Sequence, residues 1–186
     1  VLKGVEVGGF AVHMARTEGS EEGGYICDCY TTAQLAPLNE SSILAGLSVY
    51  VRYPAKIEKC IMSCTFSGNA KEQYYESFTN TREGFMNWVT SWANKEQRLG
   101  TITKVIINKT ASGSVNDKVK ATKAVISYAG QDVRYLSSEE IIKEGEDLLK
   151  DLGFNISSEF DWKIEGDALP FLTNVEKLHG VSQIEE

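Results

Sequence analysis

Ile57-Glu58-Lys59-Cys60-Ile61-Met62-Ser63-Cys64-Thr65-Phe66 is the stretch on which the fold turns. Read as extended chain, it is the first strand of a β, α, β, β, α, β order over residues 57–164, the order of a ferredoxin-like split βαβ plait. Read as a helical turn, it puts Cys60 and Cys64 on one side, about 6 Å apart along the axis. Cys27 and Cys29 are two apart, about 6.8 Å on one face of a strand. Those spacings match, so two bridges could join the clusters. In extended chain Cys60 and Cys64 are about 13 Å apart, and two bridges then need a bend or diagonal pairing. Both readings stay open at this level, with Leu47–Tyr53 as the substitute first strand.

Upstream, the chain reads as β-rich through about residue 66. Val5–Ala15 is apolar and interrupted by Gly8-Gly9, a bulge or bend. Tyr25–Thr32 has strand composition. Leu47, Val49, Val51 and Tyr53 alternate with Ser48, Tyr50 and Arg52, the signature of a half-buried strand. Downstream, Asn69 with Glu72 resembles a capping-box start for a helix carrying Tyr74, Phe78, Phe85, Val89 and Trp92, with a second start at Asn80 and Glu83. Trp88 and Trp92 read as core. Thr101–Lys109 and Lys118–Ala129 read as a hairpin. Ser137-Ser138-Glu139-Glu140 opens a helix with buried face Ile141, Ile142, Leu148, Leu149 and Leu152, closed by Gly153. Phe154 to Ile164 reads as a last strand. No fixed-period repeat is apparent.

The expectation is a single α+β domain over residues 1–186. An antiparallel sheet carries two principal amphipathic helices on one face. A disulfide-bearing β-rich part covers about 1–66, a plait-like part about 67–166, and a tail 167–186.

Charge and composition narrow function by exclusion. The net charge of −7 is uneven: residues 127–186 hold 14 acids and 5 bases, residues 1–126 hold 12 acids and 14 bases. That balance argues against a broad phosphate-binding surface and hence against nucleic acid. No apolar run approaches the roughly 18 residues of a membrane span. The chain begins at Val1 without a charged-then-apolar leader, which fits a removed signal or pro-segment.

Cys27, Cys29, Cys60 and Cys64 are read as two structural disulfides of an oxidising compartment. A zinc site built from all these thiolates, in an intracellular protein, is the alternative. Asn39, Asn108 and Asn155 head N-x-Ser/Thr sequons, which supports a secreted glycoprotein, with Asn39 the best acceptor. His13 reads as packed or edge, and His179 as a helix-end residue. No G-x-S-x-G, H-E-x-x-H, P-loop or dinucleotide motif occurs, and no cofactor is implied. Asp161, Glu165 and Asp167 beside Trp162 suggest a glycan-hydrolase alternative. Tyr50 and Arg52, of residue types enriched at hot spots, are candidate binding residues. The leading expectation is a secreted, non-enzymatic interaction protein of toxin, effector, inhibitor or adhesion type, with a protein or cell-surface target and an oligomeric state left open.

Overall fold

Hydrophobic segments of this chain return at intervals of about thirty residues or more and stack in register, each on its predecessor. The structure is a computed structural model and describes residues 1–15, 22–78, 100–111, 119, 129–156 and 161–173. The first coil contains β1 (Leu2–Gly4), β2 (Glu6–Gly8), β3 (Ala11–Met14), β4 (Tyr25–Cys27) and β5 (Tyr30–Thr31). The second contains β6 (Gln34–Pro37), β7 (Ile43–Ala45), β8 (Ser48–Val51) and β9 (Lys56–Met62). The third contains β10 (Thr65–Phe66), β11 (Glu72–Tyr74) and β12 (Thr101–Asn108), and β13 (Ala129–Leu136) begins a fourth.

Pairing is parallel throughout the coils. β1, β6 and β10 stack in one sheet, β2, β7 and β11 in a second, and β3 with β8 in a third. The fourth sheet runs β13-β12-β9-β4, and β5 also pairs with β9. This is a parallel β-solenoid, in which each coil buries its inward side chains on those of its neighbours.

The inward columns form one core. Leu2 sits on Leu35 and Leu35 on Phe66; Val7 sits on Leu44; Ile57 sits on Ile102. Leu35, Leu44, Leu47, Val51, Ile57, Cys60, Met62, Ile102, Val105 and Ile107 belong to this buried cluster. Fully burying each large aliphatic side chain contributes about 1.5–3 kcal/mol.

Outside the coils, a second cluster joins Ile61 and Ile106 to one helix, α1 (Ser138–Asp151). Ile141, Leu148, Leu149, Leu152, Phe154, Trp162 and Leu172 complete it. Ser137 caps α1: its side chain accepts from the Glu140 N–H at 3.2 Å, and Glu140 Oε2 accepts from the Ser137 N–H at 2.7 Å. The predicted helix is therefore present, with Gly153 in the left-handed region (φ 71°) beyond its end. Gly145 (φ 54°) interrupts the spiral part-way along. β14 (Trp162–Lys163) and β15 (Phe171–Leu172) form a short antiparallel pair beside it. A third cluster lies outside the second and third sheets, on Ala45, Val49, Tyr74 and Phe78.

Several expectations are corrected. An antiparallel sheet with two amphipathic helices on one face, including a plait over 57–164, is not the fold. The chain is mostly strand with parallel sheets, and α1 is the one helix among the described residues. Residues 57–62 are extended, as part of β9. Glu72 begins no helix; it opens β11. Thr101–Asn108 is a strand, but its neighbour β13 runs parallel to it. Parallel strands cannot be joined by a hairpin; they need a crossover, here the intervening residues. Leu47, Val49, Val51 and Tyr53 do not share a face: Leu47 and Val51 enter the inner core, Val49 joins the outer cluster and Tyr53 is exposed. The strand expected from Phe154 to Ile164 is reduced to Trp162–Lys163 among the described residues. The second helix start at Asn80, with Phe85, Val89, Trp88 and Trp92, lies outside the described residues. So do His179 and most of the return strand expected at 118–129.

Candidate functional site

The fourth sheet carries a corner repeated in every coil. Asp28, Lys59, Lys104 and Asp132 all have left-handed backbone, with φ of 50°, 51°, 53° and 61°. The register places them in one column: Cys27 faces Glu58 and Tyr30 faces Ile61, so Asp28 lies against Lys59. The same counting sets Lys59 against Lys104 and Lys104 against Asp132. Left-handed backbone costs an L-residue about 1–2 kcal/mol, and a fold tolerates four in a row only where the chain must bend. The bend also resets the alternation of side chains. Ile57, Cys60 and Met62 all enter the inner core, as do Ile102, Val105 and Ile107. Ile61 and Ile106 point out, beneath α1.

Chemically active side chains collect at this corner in the first two coils. Glu58 is its electrostatic centre. Lys56 forms an ion pair with Glu58, Lys104 Nζ lies 3.5 Å from it, and the Tyr25 hydroxyl donates to it at 3.1 Å. Lys56 first, then Tyr25 and Lys104, hold the Glu58 carboxyl below the ordinary glutamate range, against the opposing effect of burial. The Cys27 thiol donates to Asp28 Oδ2 at 3.0 Å, and Trp162 Nε1–H donates to Asp28 Oδ1 at 3.5 Å. The Trp162 indole thus pins the outer cluster to the corner, with Tyr30 and Phe154 packed edge-on against it.

The four cysteines are free thiols, and they occupy three different environments. Cys27 faces outward. Cys64 is buried near Thr31, with 3.5 Å between Sγ and Thr31 Oγ1, and burial pushes its thiol up to about 11. Cys29 and Cys60 are register neighbours on adjacent coils, and both contact the inner core. The Cys29 thiol donates to the Cys27 carbonyl at 3.2 Å and the Cys60 thiol to the Glu58 carbonyl at 3.2 Å. The nearness of the two thiols pulls Cys29 down to about 7 and raises Cys60. The four sulfurs do not converge. Among the described residues no three His, Cys, Asp or Glu side chains are placed to hold one metal ion, so the all-thiolate zinc site is not formed.

Tyr50 and Arg52 come together on β8 and just beyond it. The Arg52 guanidinium lies 5.5 Å from the centre of the Tyr50 ring, a cation–π contact. His13 and Phe78 meet the same ring edge-on at 5.1 and 6.2 Å. The Tyr50 hydroxyl donates to Glu6 Oε1 at 2.7 Å, and burial followed by this carboxylate raises its titration. His13, expected as a packed or edge residue, lies on the edge strand β3 and is exposed; burial first and then Arg52 lower its pKa.

The three sequons differ. Asn39 is exposed in a turn, where its Oδ1 accepts from the Ser41 N–H at 2.9 Å. Asn155 is exposed as well. Asn108 is 1% exposed, and its Nδ2 donates to Ser63 Oγ at 3.0 Å and to Ser138 Oγ at 2.9 Å. A buried amide committed in this way is a structural tie between β12, the second coil and α1, and is closed to a glycan in the folded protein. The expected carboxylates are split. Asp161 is buried, its carbonyl accepting from the Thr173 N–H and hydroxyl at 3.3 and 3.2 Å. Glu165 and Asp167 are exposed beyond β14, on either side of Gly166.

Comparison with family models, with curated proteins and with solved structures finds no match.

The corner column and the repeat beneath it were missed in the sequence, though a signal was present. Ile26-Cys27-Asp28-Cys29-Tyr30-Thr31, Ile57-Glu58-Lys59-Cys60-Ile61-Met62 and Ile102-Thr103-Lys104-Val105-Ile106-Ile107 are one motif: apolar, two polar, small apolar, then two more. Likewise Glu6–Met14 aligns without gaps on Ile43–Val51, with Gly9 on Gly46. The intervals between copies are unequal, so a search for one period passes over them.

Proposed function

We propose that the protein is a non-enzymatic interaction module that binds through its first coil. The partner that this coil fits is the first coil of a second copy of the chain. The observation that carries the reading is the state of the core in that coil. Leu2 is 44% exposed although it lies over Leu35, which is fully buried. Phe10, Ile26 and Cys29 are half-buried, while Leu47, Ile57 and Cys60 beneath them are fully buried. Val1, Val5, Val12 and Tyr25 add exposed apolar surface to the same coil. Among the described residues no strand pairs with the outer edges of β1 to β5. Open strand edges are sites of strand addition.

The rim has several sides, and one extended peptide would pair with only one of them. A second first coil matches every side at once. A two-fold axis across the rim makes the facing strands antiparallel, the pattern suited to backbone pairing. Lys3 and Glu6 are both exposed and flank Val5. A two-fold at that corner sets Lys3 of one copy beside Glu6 of the other. Secretion enters this proposal through the exposed sequons at Asn39 and Asn155. Tyr50 and Arg52, already engaged with His13, Phe78 and Glu6, are not needed by it.

Sedimentation velocity of the full chain over a wide concentration range tests the proposal. The expected result is a dimer that dissociates on dilution and that Val5→Lys converts to monomer with an unchanged circular dichroism spectrum. A monomer at every concentration, or a dimer indifferent to Val5→Lys, would overturn it.

A further inference from the structure

We infer that Cys29 and Cys60 form a thiol–disulfide exchange site, with Cys29 as the attacking thiol and Cys60 as the resolving one. Position comes first. Neighbouring strands lie about 4.8 Å apart, and a disulfide needs Cα atoms about 4.4–6.8 Å apart. The register brackets the pair on both sides: Cys27 faces Glu58, and Tyr30 faces Ile61. The Ile61 N–H donates to the Cys29 carbonyl at 3.0 Å, which locks that alignment. Both side chains contact the inner core, so both sulfurs lie on the same side of the sheet.

The two cysteines differ in access, as exchange requires. Cys29 is half-buried in the first coil and is the more accessible of the two to a small disulfide. Cys60 is fully buried in the coil below and can meet only Cys29. A thiolate at Cys29 is supported by the Cys60 thiol beside it, which brings the group near neutrality. A thiolate of that character reacts at neutral pH, and a buried partner does not.

The reaction balances with a dialkyl disulfide such as oxidised glutathione. Cys29 S⁻ attacks one sulfur of the reagent, the reagent S–S bond breaks, and one glutathione thiolate leaves. The first glutathione thiolate takes the Cys60 proton. Cys60 then attacks Cys29 Sγ, expelling the second glutathione thiolate, which takes from solvent the proton that Cys29 released on forming its thiolate. The protein dithiol is oxidised by two electrons, and the reagent is reduced to two thiols.

Neither other cysteine can substitute. Cys27 points outward and faces Glu58, while Cys64, one residue before Thr65, falls opposite Ala33 because Thr65 faces Gln34. The double bridge expected from the sequence thus narrows to one.

Equilibration of the reduced full chain with glutathione buffers, followed by alkylation and peptide mapping, tests the site. The expected product is a single Cys29–Cys60 link, with Cys27 and Cys64 still alkylated. Cys27→Ser/Cys64→Ser should form the same link. Cys60→Ser should stop at a glutathione adduct on Cys29, which shows the order of attack even if the link itself strains the fold. Iodoacetamide at pH 7 should modify Cys29 at least about tenfold faster than Cys60 or Cys64. A link through Cys27 or Cys64, an adduct on Cys27 in Cys60→Ser, or four thiols that stay free throughout the titration would overturn the inference.

Discussion

Gly46 occupies a point of close approach between the second coil and the third, and replacing it with alanine measures how tightly the coils are stacked. An added Cβ would lie 2.2 Å from the Tyr75 carbonyl oxygen and 2.8 and 2.9 Å from Met62 Cε and Sδ. The methionine end can swing aside. The Tyr75 carbonyl cannot, because it belongs to the backbone of the next coil. Clearing it requires the two coils to separate locally by about 1 Å, since carbon contacts become repulsive well before 3 Å. That movement stretches the Gly46 N–H bond to Tyr74 O, now 2.9 Å, beyond useful range. It also loosens the Leu47 and Ser48 N–H bonds to Glu76 O at 3.1 and 3.2 Å. One to three hydrogen bonds at about 1 kcal/mol each, with about 1–3 kcal/mol of packing strain, gives a loss of about 2–6 kcal/mol. Against a typical stability of about 5–15 kcal/mol, this is large. Gly153→Ala provides the contrast: φ is 71°, and nothing lies within 4 Å of its Cβ position. Only the backbone conformation opposes that change, at about 1 kcal/mol. Urea unfolding followed by tryptophan fluorescence gives both values. If Gly46→Ala costs no more than Gly153→Ala, the stacked-coil geometry at this position is wrong.

Two further perturbations probe the outer helix and the corner. Ser137→Ala removes one half of the capping box of α1 and should cost about 1 kcal/mol, visible as faster amide exchange in the first turn with the remaining strands unaffected. Glu58→Gln acts on pH dependence. The folded carboxylate titrates below its unfolded value, so its contribution is present above the unfolded pKa and fades as pH falls through the folded one. The variant should be less stable than the parent at neutral pH and should lose less between about pH 5 and pH 3, as denaturant midpoints across that window would show. Parallel acid limbs for the two proteins would contradict the ion-pair account.

What the amino-acid order determined by itself was local. Ser137, Glu140 and Gly153 specify a helix through bonds within one or two turns, and that helix is present at its expected place. The strand character of residues 5–14, 25–31 and 101–108 was legible for a similar reason, from β-branched and aromatic content, whereas residues 57–62 read equally as strand or helical turn. Strand direction was not. A parallel and an antiparallel neighbour present the same alternation of side chains, so Thr101–Asn108 read as half of a hairpin although its partner arrives by a crossover. The corner erased even the alternation: left-handed backbone at Lys59 and Lys104 puts residues three apart on the same side, and lysine carries no signal for that conformation. The cysteines show the division most plainly. Their residue types announced sulfur chemistry, but which two could react depended on a register between coils thirty-one residues apart. Only the stacking of the solenoid places Cys29 over Cys60, because backbone hydrogen bonds between coils set that register whatever the side chains are.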